Sequence, residues 1–181
     1  MPEPTCKRCT SKQCSYGFKG RRADTTKLLF VANMMDERVE ERRLFGRLGH
    51  YDAFLESDSG KALKTILAQE ALNMNLEYIY FTNVFKGMFS RSRFPTREEY
   101  RACLEVLDQQ IQEFQPRGIV AMGGWVYRSM FEKGSGFDKE NGNTILYQNT
   151  PTIVTYHPSA ILKMPVQHRL RLVQFLKSAQ A

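Results

Sequence analysis

Four stretches of this chain are apolar runs of strand length, separated by segments with helical spacing. They are Lys27-Leu-Leu-Phe-Val-Ala32, Tyr78-Ile-Tyr-Phe-Thr82, Gly118-Ile-Val-Ala-Met122 and Pro151-Thr-Ile-Val-Thr-Tyr156. Runs of this kind suit strands buried on both faces, as in a parallel sheet. Between them, Leu63, Ile66, Leu67 and Leu72 mark a helix over residues 59–73. Tyr100, Cys103, Leu104, Leu107, Ile111 and Phe114 mark a second. Thr96 followed by Glu98 and Glu99 predicts its start, and Pro116 its stop. A third helix follows Gly123-Gly124 to about residue 132, and a last one uses Val166, Leu170, Val173 and Leu176. Residues 144–147 form a local pairing strand, and 133–143 a loop. Strands alternating with helices predict an α/β fold around a parallel sheet, as a single domain over 1–181.

The polar residues that end these strands are the candidates for chemistry, because ligands in open α/β sheets bind at the C-terminal strand edge. Asn33 ends the first strand and Asn83 the second; His157-Pro158-Ser159 follows the last. A histidine there can carry or stabilise charge near neutral pH. Ser159 and the backbone N–H groups after it can hold a phosphate, and Ile161 and Leu162 stand where an apolar wedge would enter a base stack. The competing reading of the same residues is a plain strand-to-helix turn with a structural histidine. Residues 84–96 interleave Lys86, Arg91 and Arg93 with Phe85, Phe89 and Phe94. That mixture suits a nucleic-acid strand, or an ordinary basic loop whose aromatics turn into the core. Lys86, Arg91 and Lys163 are the phosphate-contact candidates, by position and charge. Residues 37–52 are charge-rich and read as a solvated helix that ends in His50, Tyr51 and Asp52.

Composition narrows the picture. The 181 residues, 42% apolar and 25% charged, describe a soluble globular chain with no apolar run of membrane-spanning length. Cytoplasmic location is the expectation. The net charge of +7 suits a phosphate-bearing partner. Cysteines are more pointed: Cys6, Cys9 and Cys14 fall within the polar segment 1–26, and Cys103 lies on the second helix. Such spacing favours thiolate ligands over disulfides, for an iron–sulfur cluster or for zinc. A segment so poor in hydrophobic periodicity needs a metal anchor to fold. Cys103 is either the fourth ligand or a plain buried cysteine.

Taken together, the ordered motifs resemble the uracil-DNA glycosylase superfamily, nearest to its iron–sulfur branch, family four. The resemblance runs from Cys6 and Cys9 through Leu28-Leu-Phe-Val-Ala32 into Asn33, then Phe54 ahead of Ser59-Gly60. It continues with Tyr80-Phe-Thr-Asn-Val-Phe-Lys86, Pro95-Thr-Arg-Glu-Glu99 leading to Cys103, Ile119-Val-Ala-Met-Gly123, and Tyr156-His-Pro-Ser159. It implies a three-layer α/β/α sandwich with a central four-stranded parallel sheet. It implies a monomeric DNA glycosylase that flips an altered pyrimidine such as uracil and hydrolyses its glycosidic bond. By position, Asn33 falls near the attacking water, Phe54 on the flipped base, Asn83 on the pyrimidine edge and His157 on the departing base anion. The cofactor implied is a 4Fe-4S cluster on Cys6, Cys9, Cys14 and Cys103, with zinc as the alternative. The chain departs from the family at Ala32-Asn-Met-Met-Asp36, where the acid, both glycines and the proline of the family motif are absent. Asp36, Glu40 or Asp52 are then the carboxylates available to assist water. The third cluster cysteine falls on Gly87, and Cys14 is the candidate replacement. The altered motif and a longer stretch before Phe54 leave two other readings open. One is a glycosylase for a bulky hypermodified base in foreign DNA; the other is a DNA-binding relative that has lost the chemistry.

Overall fold

The computed structural model describes residues 17–34, 54, 56–69, 72–87 and 95–180. In chain order the elements are β1 (Phe18–Lys19), α1 (Ala23–Thr26), β2 (Leu28–Ala32), α2 (Asp58–Leu67) and a 3-10 turn at Leu76–Tyr78. There follow β3 (Ile79–Asn83), α3 (Arg97–Phe114), β4 (Gly118–Met122), α4 (Gly124–Phe131) and α5 (Phe137–Glu140). The last are β5 (Thr144–Tyr147), β6 (Thr150–Thr155), α6 (Pro158–Ile161) and α7 (Val166–Gln180).

The four apolar runs form strands that lie side by side and parallel in the order β3-β2-β4-β6, and the pairing strand expected at 144–147 forms as β5. Every residue of β2, β3 and β4 is buried, which is why their sequences are apolar without alternation. The expected four-stranded sheet is nevertheless part of a larger one. Two antiparallel strands extend it to six: β1 on β3 and β5 on β6. Both cover an edge that would otherwise expose unpaired backbone groups. β5 and β6 join through Gln148 and Asn149, both with positive φ (46° and 66°), the backbone of a tight primed hairpin turn. β1 approaches β3 so closely that a Cβ on Gly17 would lie 1.9 Å from the Phe81 carbonyl oxygen.

Helices cover both faces, giving the three-layer α/β/α arrangement. On one face Leu63, Ile66 and Leu67 of α2 and Leu172, Val173, Phe175 and Leu176 of α7 pack on Leu28, Phe30, Phe81, Val120 and Ile153. On the other, Leu107, Ile111 and Phe114 of α3 and Val126 and Met130 of α4 pack on Leu29, Val31, Tyr80, Ile119 and Ala121. The start of α3 is the predicted one. Thr96 Oγ1 accepts from the Glu99 N–H at 3.3 Å, and the Thr96 N–H donates to the Glu99 carboxylate at 2.8 Å. α2 stops at Leu67, earlier than the spacing of apolar residues suggests; Asn73 beyond it takes a left-handed φ of 46°, which no continuing helix allows.

Candidate functional site at the C-terminal sheet edge

Because β3, β2, β4 and β6 are parallel, their C-terminal ends share one edge. Along it stand Asn83, Asn33, Gly123 and His157, in that order. Adjacent strands step about 4.8 Å, so Asn83 and His157 are roughly 14 Å apart along the edge.

Asn83 closes β3 opposite Ala32. Strand alternation puts it on the face of Ile79 and Phe81. It is 1% exposed, yet neither Oδ1 nor Nδ2 has a hydrogen-bond partner among the described residues. A buried amide without partners costs on the order of 1–3 kcal/mol for each unpaired group. Folds tolerate that where something else completes the bonds, and an amide presents one donor and one acceptor side by side.

The backbone of Asn83 is held from the opposite face. Lys86, predicted as a phosphate contact, is 1% exposed and turns back under the strand. Its Nζ donates to Thr82 Oγ1 at 2.7 Å, to Gln110 Oε1 at 2.6 Å and, closely, to the Asn83 carbonyl. Gln110 donates in turn to the Tyr80 hydroxyl at 2.8 Å. Burial pushes the Lys86 ammonium down to about 7. A side chain so enclosed does not reach a DNA backbone; it fixes the end of β3.

Phe54 lies on the Asn83 face, 5% exposed, its ring 4.3 Å from Phe81 and 5.4 Å from Phe18 between centroids. The structure thus seats it in the core two residues behind Asn83. Asn33 is turned toward α3, where its Oδ1 accepts from the Tyr100 hydroxyl at 3.2 Å. Burial raises the Tyr100 phenol above its usual range, so the hydroxyl keeps its proton and serves as the donor. The Asn33 amide nitrogen is then the group left to act. The sequence marked Tyr100 only as part of a core stripe, and nothing in the linear order pointed to Asn33.

His157 caps α6, its carbonyl accepting from the N–H groups of Ala160 and Ile161 at 2.8 and 3.0 Å. Its Nδ1 lies 2.9 Å from Ser159 Oγ. When the hydroxyl donates to Nδ1, the ring proton sits on Nε2, free to be given to a ligand. Burial lowers the imidazole below its ordinary value, so the ring is neutral at neutral pH. Gly123, at φ 102°, makes the turn beside it; a Cβ there would stand 3.8 Å from His157 Cβ.

Ile161, expected as half of an apolar wedge, is 1% exposed and packed in the core, with Leu162 partly buried against the same cluster. A side chain already holding the α2 and α7 layer together is not available to enter a base stack. Ser159 and Lys163 are exposed, as phosphate contacts require. Cys103 is buried on α3, and its Sγ accepts from the Lys86 N–H at 3.4 Å, next to Gly87. Cys6, Cys9, Cys14, Asp36, Glu40, Asp52 and Arg91 lie outside the described residues. No helix among the described residues is long and apolar enough to cross a membrane.

The sequence matches the profile of the uracil DNA glycosylase superfamily over residues 18–177. The chain belongs to that superfamily. Curated relatives place it beside the type-4 branch. The type-4 uracil-DNA glycosylase of Sulfurisphaera tokodaii is 32% identical over 127 residues, 66% of this chain and 57% of that protein. The type-4 uracil-DNA glycosylase of Pyrobaculum aerophilum is 33% identical over 95 residues, 48% of each chain. That of Thermotoga maritima is 31% identical over 153 residues, 82% of this chain and 72% of its own. This superfamily member therefore spans only about half to three-fifths of the first two relatives' length.

Proposed function

We propose that the chain is a monofunctional DNA glycosylase that turns an altered pyrimidine, uracil first among candidates, out of DNA and hydrolyses its glycosidic bond. The observation that carries this reading is the orphaned, buried Asn83 amide at the ligand-binding edge of a superfamily member. A pyrimidine edge offers an adjacent carbonyl and N–H, the complement of that amide. In the reaction, water adds to the sugar C1′ as the C1′–N1 bond breaks. The bonding pair leaves with the base, which takes up a proton afterwards. Negative charge grows on the base oxygen, where a neutral His157 Nε2–H can donate. Extruding the base costs a few kcal/mol, which enclosure beside Phe54 helps offset. Ser159 and Lys163 supply phosphate contacts that position the strand without reading it.

Asn33 itself gives water little help. Asn33 cannot remove a proton, and its amide oxygen is engaged by Tyr100. That observation also favours a second reading, a DNA-binding relative without chemistry. Asn33→Asp separates the two. Under the glycosylase reading it raises the rate of base release at least tenfold, since general-base catalysis typically contributes about 10²–10⁴. It also introduces an acid limb in the pH profile. Release that stays absent in both forms favours the inactive relative. The primary test is a screen of oligonucleotides carrying uracil, hypoxanthine, or hydroxymethylated and glycosylated pyrimidines, in single and double strands. Base release from a pyrimidine substrate is expected; a blank screen defeats the proposal.

We further propose a 4Fe-4S cluster on Cys6, Cys9, Cys14 and Cys103. The support is the donor set of four thiols and the place of Cys103, whose sulfur already accepts a backbone N–H as cluster thiolates do. When bound, the cluster would tie the N-terminal arm to α3; hydrolysis transfers no electrons and draws nothing else from it. Protein purified without oxygen should contain iron and inorganic sulfide together, and Cys103→Ala should lose both. Zinc without sulfide would instead support the alternative metal.

A further inference from the structure

The Lys86 ammonium is buried, and its three hydrogen-bond partners are neutral oxygens. An ammonium has three protons and no lone pair. Thr82 Oγ1, Gln110 Oε1 and the Asn83 carbonyl are the three acceptors that meet it. The set closes on itself. The Thr82 hydroxyl accepts from Nζ and donates to Gln110 Oε1 at 2.9 Å. Gln110 Nε2 donates to the Tyr80 hydroxyl, which turns Oε1 toward the lysine. Tyr80 and Thr82 stand on β3 and Gln110 on α3, so the helix layer holds the lysine against the strand. The backbone group in the set is the Asn83 carbonyl. A buried charge of this kind adds little to stability; a well-packed apolar side chain in its place is often neutral or better. The arrangement therefore points to placement of β3 rather than to stability.

On the other side of that strand end lies the Asn83 amide. It has no hydrogen-bond partner among the described residues, so no bond to its side chain fixes it there. Its place relative to a base follows from its backbone, and Lys86 grips that backbone at the carbonyl. We propose that Lys86, seated by Thr82 and Gln110, is a positioning residue for base recognition. It holds the end of β3 so that the Asn83 amide stands in place for a pyrimidine edge before DNA binds. The proposal rests on the glycosylase reading of Asn83. The benefit is preorganisation, since a misplacement of about 1 Å can cost 10²-fold in rate. In this role Lys86 touches neither the base nor a phosphate.

The test is a double-mutant cycle in the full-length protein, read by single-turnover base release from a uracil-containing oligonucleotide. Lys86→Met should slow release roughly 10- to 100-fold. In the Asn83→Ala background the same substitution should slow it no further, because its effect passes through the amide. Affinity for DNA and its salt slope should stay unchanged, whereas loss of a phosphate contact would lower the slope by about one. NMR relaxation of the Asn83 side-chain amide in the free protein gives a readout independent of turnover. That resonance pair is assigned by its absence in Asn83→Ala. It should be as rigid as the backbone of β3 in the native protein and mobile in Lys86→Met. Equal losses of rate in both backgrounds, a lowered salt slope, or an amide equally ordered in both proteins overturns the proposal. A native protein that releases no base defeats the glycosylase reading alone, and the relaxation comparison then decides the role of Lys86. If Lys86→Met fails to fold, Gln110→Leu, which leaves Nζ two acceptors, decides by the same measurements.

Discussion

Asn83→Ala loses base release while the protein stays as stable as before or gains stability. The two halves have the same cause. In the free protein both amide atoms are buried without partners among the described residues, so alanine removes two unmet hydrogen-bonding groups. Thermal unfolding should occur at the same temperature or a few degrees higher, given about 2–4 °C per kcal/mol for a chain of this size. In the reacting complex the same amide would make two hydrogen bonds to a base becoming anionic, each worth about 1.5–3 kcal/mol. Their loss lowers kcat/KM on the order of 10²–10⁴. Steady-state kinetics and calorimetry on one preparation check both halves. Full activity in the variant would show that the amide does not meet the base. A large drop in stability would show that it already has partners.

His157→Ala should lower kcat by roughly 10²–10³, the usual loss for one donor aimed at developing charge. The pH profile is the sharper readout. Burial lowers the folded pKa below the 6.5 of a free imidazole. As pH falls, the unfolded chain binds its proton first. The stability tied to this group is therefore complete above about 6.5 and is lost as pH drops from there through the lower folded value. Activity reports the folded ring alone, so if the neutral ring is the donor it should stay level below the free-imidazole value and decline only as pH falls through the lower folded one. A rate that rises on acidification across that window would mean that the charged imidazolium does the work. Ser159→Ala, which removes the partner of Nδ1, should cost less than loss of the ring itself and should leave the shape of the profile.

Lys86 and Ile161 show where linear reading misleads. Lys86 sits in a stretch of basic and aromatic residues, which looks like a surface loop. Its fate was settled by Gln110, 24 positions later, which folds over β3 and accepts the ammonium. Ile161 follows a turn and seemed to project. The four-residue α6 instead lays it into the core that α2 and α7 share. Tyr100 has the opposite history: helical spacing marked it as core, and its hydroxyl turns out to reach Asn33, 67 residues away.

Apolar run length and helix punctuation were enough to give the α/β class, the four parallel strands and the start of α3, because those signals are local. A strand buried on both faces must be apolar throughout, and a capping box lies within four residues. The order of motifs was enough for the family. Three things depend on contacts between distant segments, and no local pattern carries them. They are the edge strand β1, the burial of Lys86 and Ile161, and the burial of the Asn83 amide without a partner among the described residues. Whether a polar group is satisfied is a property of everything packed around it, and that is known only once the chain has folded.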